Sequence, residues 1–441
     1  MRQQKLSTRC GPLALRWCVP SSALARPTGR REGAAGLAQR AATFAAFASH
    51  GLLFASWTAH IPQVKVRLGL SDGTLGLALL GAPLGSVLLM LVVARVLPRL
   101  GSQRVVQISL LGYCLAGPLV GVAGSFATLF AALFAWGAFQ GALDVAMNTQ
   151  AVTVERAAGR PLMPGFHGSW SIGAFAGAGI GALGVAAGVA LTPQLLLLDV
   201  PILAVTGLLS LRMLPDADAT DSPRGTRRAV IRISGPVLVL GAIAFASMLC
   251  EGASADWASV YLRGSIGVGA ATAGLGYTAF ALAMTLVRLL GNGLLTRFRA
   301  SRLLPTLAIA ATAGFAVGLL ADTTALAIAG FACLGAGVAL VIPTVNSAAG
   351  RLPGISQGTG IAMVSACGWA GFVFGPPIIG GLASASSLTA ALGVLPALAA
   401  CIAVATARAR AIASPRAGEA NPVPTGHDMH GECADTAGGN R

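Results

Sequence analysis

The sequence predicts an all-α integral membrane protein, with twelve transmembrane helices arranged as two six-helix halves about a pseudo-two-fold axis. Three observations carry this reading. First, 55% of the 441 residues are hydrophobic and only 10% are charged, against roughly 25% charged in soluble domains. A soluble globule could not cover its surface with so few charges, and a disordered chain needs low hydrophobicity. Second, the chain contains repeated apolar runs of about 20 residues, the length that crosses a bilayer. Third, it matches itself when shifted by about 200 residues, as detailed below.

The runs fall at 41–61, 74–95, 105–123, 126–152, 166–188, 192–213, 235–261, 270–293, 303–321, 323–349, 355–383 and 387–406. We number these spans 1 to 12. Many are rich in Gly and Ala, which lets helices approach closely where lipid supplies no hydrophobic drive. In span 5, Gly173, Gly177 and Gly181 recur every four residues on one face.

The net charge of +15 comes from 30 basic and 15 acidic residues. In a soluble protein that excess would suggest a nucleic-acid partner. Here the basic residues lie between apolar runs, so the expected partner is the lipid bilayer, with no nucleic acid; a small-molecule substrate and protons are expected on the grounds given below. With the N-terminus inside, 26 of the 30 basic residues fall on one side and only Lys65, Arg67 and Arg263 on the other. By the positive-inside rule both termini are cytoplasmic; a bacterial inner membrane is expected from the resemblance given below.

Residues 1–40 read as a disordered basic tail without a cleavable apolar segment, and 407–441 as a disordered cytoplasmic tail. Residues 41–213 and 235–406 form the halves, joined by the charged linker 214–234. The eight cysteines show no metal-ligand spacing, and a functional monomer with no metal and no cofactor is expected.

The repeat is specific. A shift of 198 pairs Thr74 with Thr272, Gly76 with Gly274, Arg99 with Arg297, Arg104 with Arg302 and Asn148 with Asn346. A shift of 199 pairs Trp170 with Trp369 and Gly181 with Gly380, and a shift of 200 pairs Trp57 with Trp257. Only six Trp exist, so their pairing at a near-constant offset carries weight. Parallel six-span repeats describe a transporter with its site between the halves, near the membrane midplane.

The segment Arg99-Leu-Gly-Ser-Gln-Arg104, read as the 2–3 loop with Arg99, Gly101 and Arg104 as its signature residues, resembles the signature of the major facilitator superfamily. Arg297-Phe-Arg-Ala-Ser-Arg302 is its counterpart between spans 8 and 9. Within that superfamily, several segments resemble bacterial permeases distantly similar to fucose and glucose permeases: Gly51-Leu-Leu-Phe-Ala-Ser-Trp57 running to Ile61-Pro62, Leu143-Asp-Val-Ala-Met-Asn148, Val154-Glu-Arg156, Glu251-Gly-Ala-Ser-Ala-Asp-Trp257 and Gly375-Pro-Pro-Ile-Ile-Gly380. The resemblance implies proton symport through carboxylates in spans 1 and 4. Asp144 stands at the span 4 position, and Thr58 occupies the position in span 1.

An ionisable residue inside a span is a functional candidate by default. The candidates are His50, Asp144, Asp199, Glu251, Asp256 and Arg288. Asp144 and Asn148 are four apart on one helix face, a proton acceptor beside an amide, with Asn346 the repeat mate of Asn148. The resemblance places spans 1 and 7 on the cavity, where His50 and Glu251 would face it. Arg288 is expected to snorkel outward, bind an anion or pair with Asp144. Trp57, Trp257, Trp170 and Trp369 are candidate gating or stacking residues, and His167 a gate at the cytoplasmic end of span 5. Pro343, Pro376 and Pro377 are expected to bend spans 10 and 11.

Nothing resembles a P-loop and no soluble segment would hold a nucleotide, so an enzyme is not expected. The expected function is secondary active transport of a small polar solute, sugar-like or otherwise, by alternating access with protons. The alternatives are a proton-antiport exporter of metabolites or drugs, and a transporter-like sensor or accessory subunit that does not transport.

Overall fold

A computed structural model describes residues 36–160, 162–215, 234–353, 355 and 357–409. Most of the expected tails and linker lie outside the described residues. Among those described, twelve helical segments follow one another and no strand occurs. Eleven are long and apolar enough to cross a membrane. The first is not, because Gln39, Arg40 and His50 interrupt its apolar surface.

Span 1 is longer than its apolar run. The helix Leu37–Ser56 passes through a 3-10 turn, Thr58–His60, into a short helix, Ile61–Arg67. Pro62 explains the change of pitch, since it has no N–H to give to the Thr58 carbonyl four residues earlier. Ser259 of span 7 uses that carbonyl instead, donating its hydroxyl at 2.6 Å. The same device appears in span 10. Its helix breaks between Thr324–Val338 and Val341–Ala349, because Pro343 cannot bond the Ala339 carbonyl. Span 6, Leu191–Ser210, contains a π turn, Leu203–Gly207, just after Pro201.

The segment expected as a 2–3 loop is not a loop. Arg99 is in the last turn of span 2, Asp72–Leu100, and Arg104 in the first turns of span 3, Ser102–Val122. Only Gly101 separates them, at φ 79°, a conformation costly for any residue with a Cβ. In the second copy, Arg297 ends span 8, Ala270–Arg297, and Arg302 lies within span 9, Ala300–Leu320. Span 4, Phe126–Ala158, ends on Gly159 at φ 62°. Glu155 then caps span 5, Met163–Ala186, accepting the backbone N–H of Leu162 and Met163 at 2.6 and 2.7 Å. A carboxylate there also meets the positive end of the helix dipole.

Packing repeats as the sequence does. Span 1 lies on span 5 and span 2 on span 4. Span 7, Gly235–Gly264, lies correspondingly on span 11, Gln357–Ala385, and span 8 on span 10. The glycines set these distances. A Cβ on Gly173 would collide with Ala48, and on Gly371 with Phe245. One on Gly137 would meet Ala82, and on Gly335 Phe280. Each pair is thus reproduced in the other half about 198 residues on.

The halves meet chiefly at the end that carries Lys65, Arg67 and Arg263, here called the far end. Span 2 crosses span 11 there, and a Cβ on Gly76 would stand 2.5 Å from the Pro376 carbonyl oxygen. The mate of that crossing puts Gly274 of span 8 against Ala182 of span 5. The Gly73 N–H donates to Ser384 Oγ at 2.7 Å. Beyond this end the main contact between halves is span 5 on span 8.

The glycine seam of span 5 gives a direct test. Gly177→Ala should lower the unfolding temperature of the solubilised protein, at a cost of about 1–3 kcal/mol of overpacking. Gly179→Ala, two residues away with open space around it, should leave the temperature unchanged.

Candidate functional site

Between the halves, midway along the spans, lies a cavity of about 210 Å³. Spans 1, 2, 4 and 5 wall it from one half and spans 7, 8, 10 and 11 from the other. Of the residues singled out from sequence, His50, Trp57, Asp144, His167, Trp170, Glu251, Arg288 and Trp369 line it, together with Asp256.

His50 is 5% exposed and both its ring nitrogens are engaged. Nε2 donates to the Gln140 carbonyl at 3.3 Å, while Nδ1 accepts the Trp170 indole N–H at 2.7 Å. One nitrogen donates and the other accepts, which is the pattern of a neutral imidazole. The ring ties span 1 to spans 4 and 5. Trp57 stands edge-on to Trp136 at 6.0 Å between centroids, and Trp136 stacks on Tyr113 at 5.2 Å. Trp369 lies 5.9 Å from Phe372. His167 packs edge-on against Phe47 at 5.2 Å.

Arg288 neither snorkels nor pairs with Asp144. Its Nη2 reaches Glu251 Oε2 at 3.4 Å, its Nη1 donates to Ser171 Oγ at 3.3 Å and its Nε to the Ala339 carbonyl at 3.3 Å. The last acceptor is the carbonyl that Pro343 leaves free. Arg288 is therefore turned inward by a backbone defect, and it bridges spans 7, 8 and 10 of one half to span 5 of the other. The Glu251 side chain is 7% exposed and that of Arg288 22%. Thr285, one helical turn earlier, donates to the Ser171 carbonyl at 3.1 Å and strengthens the same crossing.

Asp144 has a different environment. Asn148 Nδ2 donates to its backbone carbonyl at 2.8 Å and to its Oδ1 at 3.3 Å, and no cation pairs with it among the described residues. The Asn148 amide is thereby spent on its own helix and does not line the cavity; nor does Asn346. Trp257 is wholly buried rather than a cavity wall, and its Nε1 has no partner among the described residues. Asp199 is buried on span 6, away from the cavity. Gln140, Ser86 and Trp136 join the wall without having been singled out. The 3.6-residue period supplies the signal for Gln140 and Trp136, which precede Asp144 by four and eight positions on one face.

Comparison with known proteins follows the same lines. Residues 41–355 match the profile of the Major Facilitator Superfamily. A protein named as an uncharacterised MFS-type transporter of Yersinia pestis is 34% identical over 363 residues, 81% of this chain and 92% of the relative. The membrane protein MosC of Rhizobium meliloti is 33% identical, over 78% of this chain and 84% of the relative. Among solved structures, a D-xylose–proton symporter superposes with a TM-score of 0.67 at 11% identity, covering 84% of this chain and 96% of that one. The nucleoside transporter NupG gives 0.66 at 12%, covering 84% and 97%. At such low identity the superpositions speak to the fold.

The Glu251–Arg288 pair makes a prediction of its own. Arg288→Gln should lower the unfolding temperature, because it strands Glu251 without a counter-charge at a cost of about 1–3 kcal/mol. Adding Glu251→Gln should restore part of that loss, as read by thermal unfolding of the two single variants and the double variant.

Proposed function

The chain belongs to the major facilitator superfamily, and from that premise we propose that it is a proton-coupled secondary transporter of a small polar solute, working by alternating access. The observation that carries the reading is the cavity itself, walled by four spans from each of two repeat-related halves and closed over at one end. The basic residues make the far end the outer one by the positive-inside rule. The arrangement described is then open toward the cytoplasm, with the span 2–11 and span 5–8 crossings forming the outer closure.

Asp144 is the proposed proton carrier. It is the cavity carboxylate on span 4, its amide partner lies on its own helix, and no cation among the described residues neutralises it. Such a carboxylate can take a proton on one side and release it on the other as the halves rock. Glu251 cannot do so without first letting go of Arg288, which suits it to a latch between the halves. His50 and Trp170 hold spans 1 and 5 in register beneath the site. Trp57 and Trp369, one from each half, offer ring faces to the solute.

In proteoliposomes, an inward pH gradient should drive solute accumulation by the wild-type protein. Asp144→Asn should lose that response while still exchanging labelled for unlabelled solute. Wild-type flux that ignores the gradient would sink the proton coupling.

Alternating access requires the far end to open. A Cβ on Gly73 would lie 3.5 Å from Ser384 Cβ, within the usual disulfide range of about 3.5–4.5 Å. A Gly73→Cys/Ser384→Cys pair should therefore crosslink under oxidation and stop transport, and dithiothreitol should restore it. Full activity of the crosslinked form would refute the opening.

A further inference from the structure

The charges on the cavity wall are unequal. Among the described residues Arg288 is the only Lys or Arg that lines it, and its donors are turned to Glu251, Ser171 and Ala339. His50 has both ring nitrogens occupied in the neutral pattern. With Glu251 balanced by Arg288, two cavity carboxylates, Asp144 and Asp256, have no counter-ion among the described residues. Asp256 has no hydrogen-bond or ion-pair partner among the described residues, yet it borders the empty space.

A carboxylate drawn out of bulk water with nothing to balance it is costly, and either a proton or a cationic group on the ligand balances it. The rest of the wall fits the second of these. Trp57, Trp136, Trp170 and Trp369 surround the space from both halves, and indole faces attract cations more strongly than other side-chain rings. The volume of about 210 Å³ lies below the roughly 300 Å³ at which drug-sized pockets begin, so the ligand is small.

We propose that the solute is a small organic cation, an amine, whose ammonium pairs with Asp256 between the indole faces. The assignment rests on reading this cavity as the transport site, and it names the class of solute. Asp144 stays available for the proton, so cation and proton need not compete for one group.

Matched probes of one size and three charges test this. Glucosamine, glucose and glucuronate form one set; cyclohexylamine, cyclohexanol and cyclohexanecarboxylate form the other. Each is titrated into the purified full-length protein and followed by thermal unfolding and by tryptophan fluorescence. At least one amine should give a saturable response that its alcohol and its acid do not. Asp256→Asn should weaken that response roughly tenfold or more, the worth of a charge-assisted bond, and Asp256→Glu should keep most of it. A neutral or anionic probe that binds as well as its amine overturns the assignment, as does an amine indifferent to Asp256→Asn or no amine response at all. Uptake of the same probes into proteoliposomes separates the two readings. A neutral probe that binds and is carried leaves transport standing and removes the cation assignment. An amine that binds through Asp256 but is never carried does the reverse.

Discussion

The hydrocarbon interior of a membrane offers no hydrogen-bonding solvent, and the structure depends on that absence. Backbone groups must be satisfied inside the protein, and helices gain nothing from hiding apolar surface that lipid would cover equally well. The chain meets the second condition with glycine. Spans 1 and 5 approach until Gly51 lies under the Trp170 carbonyl and Gly173 and Gly177 lie under span 1. It meets the first with helices, and at Pro62 and Pro343, where proline opens a helix, the freed carbonyl is given a new donor.

Those proline sites show how a local defect becomes a long-range tie. Pro62 and Pro343 each leave one carbonyl without its usual partner. At Thr58 the vacancy is filled by Ser259, which joins span 1 to span 7 across the two halves. At Ala339 it is filled by Arg288, whose guanidinium is thereby held toward Glu251 instead of reaching for the membrane surface. A long cationic side chain in a membrane helix ordinarily runs to the interface. Here a single missing N–H two helices away supplies the alternative, and the charge composition of the cavity follows from it.

This also explains what could be read from the sequence alone. Composition, the run lengths and the 198-residue repeat reveal the twelve spans and the two halves, because these are sums over many residues. The cavity wall was partly legible, since His50, Asp144 and Glu251 are rare polar residues in apolar runs. Their pairing was not. Whether Arg288 meets Glu251 or Asp144 depends on the rotation of span 8 about its axis, and Gly- and Ala-rich helices show little amphipathic contrast to fix that angle. Asn148 and Asn346 are repeat mates, yet neither reaches the cavity; periodicity places an amide on a face without showing that its own helix will consume it. The 2–3 segment, read as a loop of several residues, shrinks to Gly101 because the basic residues beside it continue the helices.

The repeat extends to packing but not to chemistry. The glycine crossings at Gly173 and Gly137 recur at Gly371 and Gly335 in the other half, and the span 2–11 contact has its mate in span 5–8. The polar groups do not recur. One half ties its cavity face with a neutral His50–Trp170 bond, while the other uses the Glu251–Arg288 ion pair. In the proposed alternating access two pseudo-symmetric halves rock about a shared axis, so the contacts that set the geometry of that motion have to match. The groups that distinguish a bound solute from water, or a proton from none, carry no such requirement and can differ freely between the halves. An ion pair that also reaches across to Ser171 senses both the cavity and the contact between the halves, whereas the neutral histidine link holds one half together whatever the cavity contains. The asymmetry of charge across a symmetric frame is therefore where occupancy and motion can be coupled.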